Sequence, residues 1–146
     1  MRPLLAAAVL IALAVTATAG AQARKDGLPA YVTGYAKWTK LNAKPIRGGS
    51  PAHQGVKHVY SSKRKAGRRF PVGTIVVKTG MPSGKRWISL VATMRRVRGT
   101  ANGGWLWEEF TRASPSARFT KVGFPASGCA ACHAQARTND YVFTRR

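Results

Sequence analysis

Gly73-Thr74-Ile75-Val76-Val77-Lys78-Thr79-Gly80 decides the fold class. Its centre is β-branched and glycines bound it, so it reads as a strand. A period of two puts Thr74, Val76 and Lys78 on one face. Downstream, Trp87 to Val97 is the longest strand candidate, with Ile88, Leu90, Ala92 and Met94 along one side. Gly103-Gly104 then opens Trp105-Leu106-Trp107-Glu108-Glu109-Phe110, while His58-Val59-Tyr60 and Arg118-Phe119-Thr120 are weaker pieces. Glycine and proline recur at short intervals from Gly27 to Pro51, and no long helical stripe runs between residues 24 and 125. A helical bundle is disfavoured, and strands joined by Gly-rich turns predict a mainly β fold. Its sheet is antiparallel, with a few short helices.

Working outward, Arg2 and the apolar run Leu4 to Val15 lead into Ala21-Gln22-Ala23. That is the layout of a secretory signal over residues 1–23, with cleavage near Ala23. The run has 12 residues, too short to cross roughly 30 Å of hydrocarbon. No second long apolar stretch follows, so residues 24–146 are expected to form one exported domain without a transmembrane segment. The composition is lopsided: 25 Lys+Arg face 4 Asp+Glu, for a formal charge of +21. The bases are spread along the chain, densest at Lys63-Arg64-Lys65-Ala66-Gly67-Arg68-Arg69. Such a stretch is either a solvated loop or a patch attracting an acidic protein or an anionic membrane surface. No nucleic-acid motif or aromatic interleaving accompanies it, so nucleic acid is not an expected partner.

Two cysteines exclude a disulfide-dense scaffold and any four-thiolate metal site, and four acids exclude a carboxylate-rich calcium site. The tail gathers what chemistry remains. Pro125-Ala126-Ser127-Gly128 leads into Cys129-Ala130-Ala131-Cys132-His133-Ala134-Gln135-Ala136, a helix that Ser127 can cap. There Cys129, Cys132 and His133 stand at i, i+3 and i+4 and point to one side. Cys-x-x-Cys-His is the attachment pattern of c-type haem. Two thiols a helical turn apart can form thioethers to one porphyrin, and the adjacent imidazole then ligates the iron. The reading is one haem c, covalent through Cys129 and Cys132, with His133 as the iron ligand. A thioredoxin-like pair would want a βαβ pattern, which is missing; a zinc site would need His53 or His58 as fourth ligand; a Cys129–Cys132 disulfide stays open. No methionine follows His133. Met94 reads as core, and His53 or His58 as a distal ligand or, more commonly, a hydrogen-bonding group. An open sixth position, suited to a small ligand, is therefore favoured.

With these pieces in order, the sequence resembles the cytochrome P-460 family, which includes cytochrome c′-beta. The resemblance rests on Tyr35-Ala36-Lys37-Trp38, Lys57-His58-Val59-Tyr60, Phe70 to Lys78, Gly103-Gly104-Trp105, the haem motif, and Asp140-Tyr141-Val142-Phe143-Thr144. It implies an antiparallel β fold, a periplasmic location, a homodimer and a five-coordinate haem. In the family's enzymes a lysine is crosslinked to the porphyrin and hydroxylamine is oxidised to nitric oxide or nitrous oxide; by motif position that lysine is Lys78. The chain departs from them in having Thr79 rather than an acid next, and in a shorter middle. Glu108 and Glu109 are the only central acids, and adjacent strand positions let at most one of them meet the haem. The candidate catalytic residues are thus Lys78, Glu108 and Glu109. The competing functions are a nitric-oxide-binding protein without turnover and an electron carrier docking an acidic redox partner.

Overall fold

A computed structural model describes residues 24–48 and 53–144. The signal-peptide reading falls on residues 1–23 and so lies outside the described residues. Six strands form a meander in sequence order: β1 (Thr39–Lys40), β2 (Val56–Ser61), β3 (Ile75–Met81), β4 (Leu90–Arg96), β5 (Trp105–Thr111) and β6 (Thr120–Lys121). Every neighbouring pair is antiparallel. A short helix, α1 (Ala126–His133), follows and tightens into a 3-10 turn over Ala134–Asn139. The mainly β architecture is the one that the strand pattern predicts.

Both faces of the sheet are covered. On one, Val59, Val76, Met94 and Trp105 pack with Ile46, Phe70 and Val142. On the other, Val77, Val91 and Phe110 pack with Leu28, Val32 and Phe119. A strand buried on both sides has no reason to alternate apolar with polar, which explains the unbroken Ile75-Val76-Val77. The candidate strand from Trp87 enters the regular ladder only at Leu90. Ile88 packs with the Val77 cluster, on the face opposite Met94. The chain comes out of a turn closed by Lys85 N–H on the Pro82 carbonyl, and Ser89 N–H is its first bond to Gly80 of β3. Ser127 is not the cap expected: α1 begins at Ala126, after Pro125, and no side chain caps it. The fixed φ of Pro125 suits a helix entrance, and its carbonyl accepts the Gly128 N–H, which places Ser127 inside the first turn.

Register separates the two central acids. Lys78 lies opposite Ala92, and Ala92 opposite Glu109, so Lys78 and Glu109 share a face; Thr93 lies opposite Glu108 on the other. There Glu108 accepts hydrogen bonds from Tyr31 (2.5 Å) and Lys121 (2.7 Å), with Arg95 at 3.6 Å. Burial and the bond to Glu108 push Tyr31 up to about 12. Burial raises the Glu108 carboxyl too, but the bonds from Lys121 and Tyr31 and the charges of Lys121 and Arg95 outweigh it, holding the group below its ordinary value. Stability from a depressed carboxyl is fully present above the ordinary 4.5 and is lost as pH falls through the lower folded value. Tyr31→Phe is therefore expected to lower the melting temperature more at neutral pH than in acid. A gap between wild type and variant that stays constant across the titration overturns this assignment.

Candidate haem-binding site

The Lys78–Glu109 face of the sheet, α1 and the chain end enclose a cavity of about 490 Å³, within the range of small-molecule and cofactor sites. Cys129, Cys132 and His133 all line it, as their helical spacing predicts. Both thiols are free; Cys129 is half-buried and Cys132 exposed. Burial, and then the charge of Glu109, push the Cys129 thiol above its ordinary value.

His133 is built for a single orientation. It is 8% exposed, and its Nδ1–H donates to the Tyr141 carbonyl at 2.7 Å. That bond fixes the tautomer and leaves the Nε2 lone pair for a metal. The ring is held edge-on between Trp107 (4.7 Å between centroids) and Phe143 (5.0 Å). Trp107 is itself tethered, its indole N–H donating to the Asn102 carbonyl.

The Tyr141 carbonyl is aimed by an unusual turn. Asp140 and Tyr141 both have positive φ, 56° and 67°, which is costly for residues with a Cβ. The Asp140 carboxylate offsets that cost by accepting the Phe70 N–H at 2.7 Å and pairing with Arg96 at 3.4 Å. The Tyr141 ring lies over Gly103, where a Cβ would come within 2.6 Å of it, at a φ of +72°. Gly103→Ala is expected to destabilise the protein by more than about 1 kcal/mol and to loosen the His133 bond as Tyr141 is displaced. Thermal unfolding checks it; an unchanged melting temperature counts against the contact.

Opposite functional groups of the cavity form a chain. Lys78 Nζ donates to His53 Nδ1 at 2.6 Å, and His53 Nε2–H donates to Glu109 at 2.7 Å. His53 thus enters the site as a bridge between Lys78 and Glu109. Its loop is held by Lys57, which is 3% exposed and whose ammonium donates to the carbonyls of Gly48, His53 and Gly55. Strand alternation does not reveal this lysine's role, because in β2 it says only that Lys57 is inward. His58 lies opposite Thr79, on the other face, and does not line the cavity. Burial, then Lys40, lower its pKa. Met94 lines the cavity and packs in the core; Met81 does neither.

An apolar cavity with two free thiols and a pre-aimed imidazole on one helix fits a covalently held haem, and it defines the molecule as a c-type cytochrome. The family model for Cytochrome P460 matches residues 32–144, and the chain belongs to that family. No curated protein gives a significant match. No helix among the described residues is long and apolar enough to cross a membrane.

Proposed function

We propose that this cytochrome oxidises hydroxylamine to nitric oxide or nitrous oxide in the periplasm, passing the electrons to an acidic redox partner. One observation carries the reading: in a cavity otherwise walled by residues such as Val59, Val76, Met94 and Phe124, Lys78, His53 and Glu109 form a hydrogen-bonded chain. Oxidation of an N–OH compound releases protons with the electrons, and an apolar pocket needs a group to take them.

Bound haem supplies the ligand position and the electron sink. Cys129 and Cys132 would hold it, and His133 would ligate its iron through Nε2. Glu109 would accept the substrate proton at its carboxylate, and His53, bonded to it and to Lys78, would hold that carboxylate in position. Trp107, Phe124 and Phe143 line the cavity with aromatic surface. The resemblance supports Lys78 as the residue crosslinked to the porphyrin, and its position in the cavity wall is compatible with that. The formal charge of +21 supports attraction to an acidic partner that weakens with salt. Homodimerisation and export through residues 1–23 belong to the same proposal.

The aromatic lining favours a second reading, a protein that binds nitric oxide without turnover. Intact mass and absorption spectra of the matured protein, followed by hydroxylamine turnover with an artificial electron acceptor, separate the two. Haem mass, a red-shifted ferrous band and turnover are the expected results. An ordinary c-type spectrum with tight nitric oxide binding and no turnover overturns the enzyme reading.

A further inference from the structure

A second cavity, of about 610 Å³, lies against the Asp140–Tyr141 turn and takes no part in the haem site. Arg68, Arg69, Arg96 and Arg137 line it, together with Thr100 and Thr138. The only acid there is Asp140, and it is spent on Arg96 and the Phe70 N–H. The other three acidic side chains of the chain are also committed: Asp26 to Arg24, Glu108 to Tyr31 and Lys121, Glu109 to His53. Arg68, Arg69 and Arg137 are exposed at this cavity with no carboxylate side chain of this chain to meet them. Like charges gathered in a concavity focus a positive potential, and the balancing charge must come from outside.

Guanidinium forks match the oxygens of phosphate in paired hydrogen bonds, and the two threonine hydroxyls add uncharged donors of the kind that phosphate accepts. We propose that this cavity binds a multiply charged phosphate oxyanion. The Arg96–Asp140 pair forms a neutral floor, and Arg68, Arg69 and Arg137 close on the anion from the rim. An anion so held lies beside the turn whose Tyr141 carbonyl orients His133, so the site adjoins the haem ligand's support without touching the haem cavity's polar chain.

The test is calorimetric titration of the matured holoprotein with inorganic phosphate and pyrophosphate at physiological salt. Saturable binding, tighter for pyrophosphate, is the expected result. Replacing Arg68, Arg69 and Arg137 together by alanine is expected to weaken it by about tenfold or more. Replacing the exposed Lys25, Lys37 and Lys44 removes the same charge elsewhere and is expected to leave it nearly unchanged. The inference is overturned by absence of saturable binding, or by equal weakening in both triple variants, which marks diffuse attraction. Vesicles containing an anionic phospholipid form a separate arm. Loss of vesicle binding in the arginine variant without loss of pyrophosphate binding overturns the free-anion assignment.

Discussion

Protein carrying Cys129→Ala with Cys132→Ala is expected to leave a cytochrome-maturing cell with the mass of the bare polypeptide. The helix offers no other thiol, and the chain holds only two cysteines, so no thioether can form. His133 alone remains to hold haem, and one coordinate bond lets the group dissociate when the protein is denatured with acid. The physical loss extends to stability. Haem seated in the folded state buries apolar surface against the cavity wall, and losing it leaves the apolar cavity of about 490 Å³ unfilled. Each kcal/mol lost in a domain of this size lowers the melting temperature by roughly 4 °C, so a fall of many degrees is expected. His133→Ala should keep covalent pigment while changing its spectrum, which distinguishes attachment from ligation. Full haem mass on the double cysteine variant contradicts the assignment of the motif.

Glu109→Gln is expected to lower hydroxylamine turnover by about 100-fold, the usual contribution of a positioned proton acceptor. The amide keeps the shape and can still hydrogen-bond to His53, but it cannot take a proton. Haem content and nitric oxide affinity should remain close to wild type, because neither requires proton removal. The pH dependence of turnover should flatten as well, a change that misfolding does not produce. Glu108→Gln provides the contrast: that carboxylate faces Tyr31 and Lys121, so its loss should appear in stability and leave turnover largely intact. Equal turnover losses in the two variants would remove the distinction that register draws between them.

Some of the site is legible because its rules are local. The positions of Cys129, Cys132 and His133 follow from helical geometry alone, and all three line one cavity. The shared face of Lys78 with Val76, and of Glu109 with Trp107, follows from strand alternation. Ser127 shows the limit of such rules, since Pro125 sets the start of the helix instead. Ile88 shows another: alternation extended too far backward assigns it to the wrong face, because the ladder does not yet exist there.

What the chain's order of residues determines is therefore the antiparallel class, the haem-attachment helix and the parity of each strand position, all of which repeat over a few residues. Both acids border the cavity, and which carboxylate joins its polar chain is decided by tertiary structure, since parity separates Glu108 from Glu109 without saying which face the C-terminal segment will cover. The same holds for His53, brought to Lys78 and Glu109 by a loop anchored on Lys57. It holds again for the Tyr141 carbonyl, aimed at His133 by Asp140, Phe70, Arg96 and Gly103. These contacts join residues distant in the chain, and their geometry comes into being only when the sheet closes around both of its cores.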